Sequence, residues 1–235
     1  MMKERIQKIL SSRGVCSRRS AEKLILEGRV TCNGRVCALG DSADVDNDQI
    51  CLDERPIPPA PAYVYLALNK PRGYVTSMSD DKGRKDVSVL VSDCSERVYP
   101  VGRLDMDSEG LLLFTNDGDF ANHLMHPSHE IDKTYRVFVT GYSQNALEQV
   151  GEPIVLDGYS IRKPTVKLIS SSGDKAELFI TIHEGRNRQI RRMCSAAGMR
   201  VIRLIRIQEG CVKLGNLPSG KWRPLHQDEI NGLID

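Results

Sequence analysis

Four prolines fall within six residues, at Pro56, Pro58, Pro59 and Pro61 of the run RPIPPAPA. Fixed backbone angles and missing backbone donors make such a run an extended, fairly stiff connector. The connector predicts a domain boundary. We expect one domain at residues 1–60, with the proline-rich linker at its end, and a second at residues 61–235.

Before the prolines, the pattern predicts two short helices followed by a hairpin. In RIQKILSSRG, apolar residues recur at the i, i+3 and i+4 spacing of one helix face. Ser17 is placed to cap a second helix in SRRSAEKLILEG, with Arg18 and Arg19 in its first turn. Asn33-Gly34 then joins two β-prone runs, which is the strongest short-range signal for a tight hairpin.

After the prolines, β-branched and apolar runs alternate with turns, and strands outnumber helices. This pattern predicts an α+β fold with one core. The strand candidates are VYLALN, LLLF, YRVFVT, LFITI and VIRLIRI, and the helix candidates are DFANHLM and NRQIRRMCSAAG.

Charge is segregated along the chain, although the net charge is only +2. Residues 1–40 hold nine Lys or Arg against three Glu, and residues 184–206 hold seven Arg against one Glu. Two basic patches of this kind suit a polyanion, because each neutralised phosphate releases condensed counterions. Either patch taken alone also fits a solvated helix face.

Other site classes and locations find little support in the sequence. No apolar run approaches the roughly 20 residues that cross a bilayer, and MMKERIQKIL lacks a signal-peptide core, so a cytoplasmic protein is expected. The seven cysteines contain no C-x-x-C pair, which argues against a disulfide framework or a zinc site. His123, His126 and His129 recur at intervals of three, but Pro127 interrupts any helix that would align them.

The run GRLDMDSEGLLLFTNDG contains an acidic turn with Asp105, Asp107 and Glu109 before Gly110. A calcium loop would need oxygen ligands after the glycine and a Glu at its twelfth position, where this chain has LLLF and Asn116. LLLF is instead typical of a buried strand, so the turn should lie beside the core. A carboxylate held there can serve catalysis or cap the turn.

Two resemblances give these patterns a family. The run RIQKILSSRGVCSRRSAEKLILEGRVTCNGRVCALGD resembles the αL RNA-binding domain first known from a ribosomal small-subunit protein. NKPRGYVTS, YPVGRLDMDSEGLLLFTNDG, KTYRVFV, HEGRNRQIRRMC and RLIRIQEGCVKLGNLPSGKWRPL resemble, in that order, motifs of the RsuA/RluB/RluE/RluF family of ribosomal RNA pseudouridine synthases. HEGRNRQIRRM and LPSGKWRPL are most similar to the RluB type, which modifies large-subunit rRNA.

The resemblance implies a mixed, mostly antiparallel catalytic domain and four catalytic residues. Asp105 matches the catalytic aspartate, a nucleophile or base, and Arg191 matches the arginine that pairs with it. Tyr135 matches the tyrosine that stacks on the target base, and Leu204 an apolar residue packing against the site. Plainer explanations remain for each: a turn cap, an RNA contact, a core aromatic and core packing. The isomerisation needs no cofactor and no metal.

Basic residues along the chain are expected to bind the RNA. Arg103 lies two residues before Asp105 and should point to the same side, towards a nucleotide extruded from its helix. The full expected set is Arg5, Lys8, Arg18, Arg19, Lys23, Arg29, Lys70, Arg72, Arg103, Arg186, Arg188 and Arg192. The expected partner is ribosomal RNA or a pre-ribosomal particle, with no membrane and no small-molecule cofactor, and the chain is expected to be a monomer.

Three alternatives stay open. A non-catalytic RNA-binding or ribosome-assembly protein would explain the basic patches without using Asp105. A small-subunit rRNA pseudouridine synthase would share the chemistry but not the substrate. A metal-dependent nuclease would use Asp105 and Asp107 together.

Overall fold

The structure, a computed structural model, describes residues 3–234, and they divide into two units. The first unit takes in residues 3–64 with the short segments 95–97 and 116–118. The second takes in residues 65–94, 98–115 and 119–234. None of the helices in the described part of the chain is long and apolar enough to cross a membrane.

Residues 3–64 fold into two helices and short strands. A two-stranded ladder pairs β1 with β4, and a four-stranded sheet runs in the order β3-β2-β5-β6. The elements are β1 Lys3–Arg5, α1 Ile6–Ser12, α2 Arg18–Leu26, β2 Val30–Cys32, β3 Arg35–Val36, β4 Ser42–Asp44, β5 Ile50–Leu52 and β6 Arg55–Pro56.

The local signals of the first unit are confirmed. The Ser17 side chain accepts a hydrogen bond from the backbone N–H of Ser20 and so caps α2. The turn from β2 to β3 has positive φ at both central residues, 51° at Asn33 and 79° at Gly34, as a two-residue hairpin requires. The inward faces of α1 and α2 pack on the sheet in one core, whose members include Ile6, Ile9, Leu10, Ala21, Ile25, Val30 and Ile50.

The second unit has an α+β architecture, as expected. Its strands are β7 Tyr65–Lys70, β8 Tyr99–Val101, β9 Glu109–Thr115, β10 Lys133–Thr140, β11 Val155–Leu156, β12 Tyr159–Ser160, β13 Thr165–Ser172, β14 Lys175–Ile182, β15 Arg200–Glu209, β16 Val212–Lys213 and β17 Trp222–Pro224. Its helices are α3 Gly118–Met125, α4 Gln144–Val150, α5 Gln189–Ala196 and α6 Gln227–Ile234, with 3₁₀ turns at Val87–Leu90 and Pro127–His129.

Within residues 65–234, nine strands form one mixed sheet in the order β13-β14-β10-β15-β9-β7-β17, with β16 on β15 and β8 on β9. Every pair is antiparallel except β9 with β15. The parallel pair is short, with Ile205 opposite Glu109 and Arg206 opposite Gly110. This pairing brings the start of β9, and the acidic turn before it, against the middle of β15.

Strand β9 is the LLLF segment, and it is buried on both faces. Leu111 and Leu113 join a core with Phe120 of α3 and Leu233 of α6. Gly110 is needed where β9 meets β15: its φ is +101°, and a Cβ there would lie 2.3 Å from the carbonyl oxygen of Arg206. The glycine therefore allows the close approach that places the acidic turn.

Candidate active site

The acidic turn between β8 and β9 is held from beneath by Lys70, the last residue of β7. Its Nζ donates to the carbonyl oxygens of Asp105 at 3.1 Å, Ser108 at 2.9 Å and Pro71 at 3.1 Å. The backbone N–H of Ser108 also donates to the Asp105 carbonyl at 3.0 Å. Burial lowers the pKa of Lys70 to about 8, against the opposing charges of the nearby carboxylates.

The expectation that Lys70 contacts RNA is wrong for this structure. The residue has no exposed surface, and its ammonium group already binds three backbone carbonyls. A buried ammonium that donates all three of its protons has none left for a phosphate. Lys70 instead fixes the position of the turn that carries Asp105.

The two aspartates of the turn have different partners. Asp105, about one-third exposed at 33%, has one arginine contact, with its Oδ2 lying 3.5 Å from Nη1 of Arg188. Asp107 receives a two-pronged pair from Arg188, with Nη1 and Nη2 each at 3.1 Å. Nη2 of Arg191 lies 3.3 Å from the Asp107 carboxylate and donates to the Asp107 carbonyl at 2.9 Å.

This geometry corrects the pairing expected for Arg191. The family resemblance implied a pair with Asp105, but the Arg191 guanidinium binds Asp107, and Arg188 is the arginine in contact with Asp105. Burial alone would raise the pKa of Asp107, yet the hydrogen bond from Arg188 and the charges of both arginines outweigh burial and lower that pKa. Asp107 is thus an ionised anchor for two arginines, while Asp105 keeps more of its carboxylate available.

A cavity of about 220 Å³ opens beside Asp105. Three of the four residues expected to be catalytic, Asp105, Tyr135 and Leu204, line it, and so does Arg103. The pairing of β10 with β15 brings Tyr135 and Leu204 to the same cavity. In this pairing, Tyr135 lies opposite Arg206, and Val137 lies opposite Leu204. Because side chains two residues apart share a face of a strand, Leu204 and Arg206 lie on the same side of β15.

A buried charged group lies next to the tyrosine of the cavity. Arg206 and Glu209 are each 2% exposed, with Nη2 of the arginine 3.2 Å from Oε2 of the glutamate. Arg206 Nε donates to the Leu111 carbonyl at 2.6 Å, and Arg206 lies opposite Tyr135 in the pairing of β15 with β10. Burial raises the pKa of Tyr135, so its hydroxyl remains protonated at neutral pH. Lys133 Nζ adds a second cation 3.8 Å from Glu209.

Sequence reasoning missed three contributors to this site: Asp107 as an anchor, and Arg206 with Glu209 beneath the tyrosine. One usable signal was present. In RLIRI, Arg206 follows Leu204 at the two-residue spacing of one strand face, so a residue on the face of the site could have been inferred. Its partner Glu209 lies three residues on and had no such signal.

The loop before α5 and the first turn of α5 carry four arginines, of which Arg188 and Arg191 contact the acidic turn. Arg188 stands at the N-cap of α5 in the left-handed region, with φ 49° and ψ 33°, and its side chain forms no cap. Left-handed backbone in a non-glycine residue is uncommon and recurs at functional sites. Arg186 in the same loop stacks over the ring of Tyr159 at 3.4 Å from its centroid, and Arg192 pairs with Asp157 at 2.7 and 2.9 Å.

The six residues of the first unit that were expected to bind RNA fall into two groups. Arg18, Arg19 and Lys23 are exposed on α2, and none of them forms an ion pair within residues 3–234. The others are engaged: Arg5 donates to the Gly40 carbonyl, Lys8 pairs with Glu4, and Arg29 pairs with Asp53 and Glu27. In the second unit Arg72 and Arg103 are exposed. RNA binding by these residues stays a prediction.

The histidine run does not assemble a ligand set. The rings of His123 and His129 stack with their centroids 3.9 Å apart, and His126 tilts against His129. Across residues 3–234, no group of three or more His, Cys, Asp or Glu side chains is arranged to hold a metal ion.

Comparison with known proteins gives matches over most of the chain. Residues 64–196 match the sequence model of the family described as RNA pseudouridylate synthase, and residues 4–50 match the S4 domain. The chain is 44% identical to the ribosomal large subunit pseudouridine synthase B of Bacillus subtilis, with 98% of this chain and 95% of that protein covered. It is 37% identical to the dual-specificity RNA pseudouridine synthase RluF of Salmonella typhi, with 98% and 78% covered.

A solved structure also resembles the whole chain. A crystal structure of a pseudouridylate synthase is 29% identical, with a TM-score of 0.70, and covers 97% of this chain and 99% of that one.

Proposed function

This chain belongs to the RNA pseudouridylate synthase family, and from that membership we propose that it isomerises one specific uridine of ribosomal RNA to pseudouridine, in the large subunit. The S4 domain ahead of the synthase region makes RNA its partner. The choice of large-subunit rRNA rests on the relative from Bacillus subtilis, whose name gives that substrate. The observation that carries the proposal is the Asp105 carboxylate at the wall of a cavity shared with Tyr135 and Leu204.

The proposed chemistry needs only side chains. In the isomerisation, the bond from ribose C1′ to N1 of uracil breaks, a bond from C1′ to C5 forms, and the C5 proton is lost while N1 regains one. No atom is oxidised or reduced. Asp105 acts as the nucleophile or base, and its partly open carboxylate suits that role better than the doubly paired carboxylate of Asp107.

The other cavity residues hold the uridine rather than change it. A base inside a helix cannot reach Asp105, so the nucleotide must leave the stack, at a cost of a few kcal/mol. Stacking on Tyr135 offsets part of that cost, and Leu204 closes the apolar side of the cavity. Because burial raises the pKa of Tyr135, its hydroxyl stays protonated at neutral pH, where it can donate a hydrogen bond but cannot act as a base.

The two units have separate tasks in this proposal. We assign residues 1–60 to RNA affinity and residues 61–235 to catalysis. The exposed cations on α2 suit phosphate contacts, because none of them forms an ion pair with a carboxylate of residues 3–234. They are Arg18, Arg19 and Lys23. The enzyme works as a monomer in the cytoplasm, on naked rRNA or on a pre-ribosomal particle, without a cofactor.

The test is a map of pseudouridine in the rRNA of cells with and without this protein. We expect one large-subunit position to lose pseudouridine in its absence and to regain it with the parent chain but not with Asp105→Asn. Loss at a small-subunit position would assign the other subunit. An unchanged map, with ribosome assembly impaired, would replace the enzyme by a non-catalytic assembly protein.

A further inference from the structure

A second cavity, of about 410 Å³, lies between α5 and the start of β15. We call it the α5–β15 pocket. The residues that matter here are Arg188, Arg191 and Ser195 from the helix side and Arg200 and Val201 from the strand. None of the residues required by the chemistry above, Asp105, Tyr135 or Leu204, lines it. Its role is therefore separate from holding the target base.

The lining of the α5–β15 pocket is strongly cationic. It presents three guanidinium groups and one hydroxyl, and no carboxylate is among its lining residues. Two acids of the turn compensate part of this charge: Asp107 pairs with Arg188 and Arg191, and Asp105 lies 3.5 Å from Arg188. Three guanidinium groups against two carboxylates leave one positive charge uncompensated. Arg200 is exposed and has no acidic partner within residues 3–234. An anion is the complementary ligand.

Two of the three arginines are held in place before any ligand arrives. Arg191 is only 12% exposed, donates to the Asp107 carbonyl at 2.9 Å and reaches the Val201 carbonyl at 3.4 Å. Arg188 is fixed by its two-pronged pair with Asp107. Because these side chains lose little freedom on binding, an anion in the pocket avoids most of the ordering cost of a mobile arginine.

Arg188 connects the two cavities, since it lines both of them. The two cavities therefore adjoin, and a strand whose base enters the cavity at Asp105 has the α5–β15 pocket within reach of its backbone. We propose that this pocket binds a phosphodiester of the RNA strand directly beside the target nucleotide, with Arg200 as its free cation. The proposal rests on the function proposed above, because it takes the occupant of the first cavity to be a flipped nucleotide.

Phosphate suits the pocket better than an acidic peptide. Planar guanidinium groups bind phosphate oxygens in pairs, and the Ser195 hydroxyl adds a donor at the same wall. A flipped nucleotide also brings a phosphodiester on each of its sides close to the first cavity, which an acidic peptide does not.

The test compares Arg200→Gln with a matched loss of charge at Lys213→Gln. Lys213 is exposed on β16, which pairs with the opposite end of β15, and it lies in neither cavity. Binding of unmodified large-subunit rRNA, purified from cells lacking the protein, is measured over a range of KCl concentrations. For Arg200→Gln we expect about tenfold weaker binding at low salt and a slope of log K against log salt flatter by about one. Lys213→Gln should match the parent in both.

A second arm locates the contact. The mapped uridine is placed in a short synthetic RNA, with an uncharged methylphosphonate at one linkage at a time. At one linkage beside the uridine, the methylphosphonate should weaken binding of the parent chain clearly more than binding of Arg200→Gln, which has already lost the Arg200 contact with that phosphate.

Two results would overturn the pocket. One is an unchanged salt slope for Arg200→Gln, and the other is an equal change in Lys213→Gln, which would show a general charge effect. These binding results are independent of turnover, so failure of the pocket is distinguishable from failure of the proposed function, in which the parent chain makes no pseudouridine.

Discussion

The aspartate pair in the turn before β9 offers the sharpest test of the proposed chemistry. Asp105→Asn and Asp107→Asn each remove one negative charge and keep the shape of the side chain. Both residues lie in one short turn and are similarly exposed, at 33% and 32%. A general electrostatic effect would therefore change both variants alike, whereas a chemical role for one carboxylate would separate them.

The contacts predict opposite rankings for stability and activity. Asp107 loses three guanidinium contacts at 3.1 to 3.3 Å, which in a partly exposed site amounts to about 1–2 kcal/mol of unfolding free energy. Asp105 loses one contact at 3.5 Å, worth less than about 0.5 kcal/mol. Asp107→Asn also removes this contribution of about 1–2 kcal/mol from the interaction that positions Arg188 and Arg191 beside the cavity. Because the transition state then lacks that positioning, kcat/KM should fall roughly 5- to 30-fold. Asp105→Asn, lacking the nucleophile or base, should make no detectable pseudouridine.

The assay combines chemical unfolding of both variants with pseudouridine formation on unmodified large-subunit rRNA under single-turnover conditions. Binding of that rRNA by Asp105→Asn should match the parent, which excludes misfolding as the cause of inactivity. Measurable turnover by Asp105→Asn would refute the assignment. Equal loss of activity in the two variants would show that the turn acts through its charge alone.

Four further outcomes are expected. Arg18→Ala combined with Arg19→Ala should weaken rRNA binding and flatten the slope of log K against log salt by up to about two. Complete loss of the single-turnover rate at saturating enzyme would instead show that the first unit helps to build the active site. Gly110→Ala should lower the unfolding free energy by about 3 kcal/mol or more, because the added Cβ would meet the Arg206 carbonyl. Gly102→Ala has nothing within 4 Å of the added Cβ and should cost only about 1–2 kcal/mol, the strain of its left-handed backbone. Equal losses of the two variants in denaturant unfolding would contradict the Gly110 contact. The difference in unfolding free energy between the parent and Lys70→Met should rise by at most about 3 kcal/mol from pH 8 to pH 10.5. The reason is that the unfolded chain binds the Lys70 proton more tightly than the folded chain across this pH range. A difference that falls with pH would contradict the lowered pKa of Lys70. EDTA should leave pseudouridine formation intact, and its loss would favour a metal-dependent reaction.

The elements that the sequence predicted correctly depend on neighbours along the chain. Ser17 caps a helix that begins at the next residue, and Asn33-Gly34 closes a hairpin whose strands it joins. The apolar run after the acidic turn forms a buried strand because every one of its side chains is apolar, whichever partner covers it. Caps, turns and periodicity are local, so they can be recognised from a few consecutive residues.

The partners within the site were decided by tertiary structure. The chain from the acidic turn to α5 is long: Arg188 meets Asp107 across 81 residues, and Arg191 meets it across 84. Motif order showed that an arginine and an aspartate belong to one site, but it could not say that Arg191 binds Asp107 and leaves Arg188 beside Asp105.

Burial separates residues that look alike in the sequence. Lys70 and Arg206 are as basic as the RNA-binding candidates, yet Lys70 binds three carbonyls under the turn, and Arg206 lies beneath Tyr135 with Glu209. The burial of Arg206 follows from the parallel pairing of β9 with β15, which needs Gly110. This pairing brings Arg206 to the carbonyl of Leu111, 95 residues earlier in the chain. The sequence alone predicted a boundary at the prolines, the local elements on either side of it and the carboxylate to test. Only the tertiary structure decided which cations stay exposed and which are buried under the site, because burial depends on what the rest of the chain packs against each side chain.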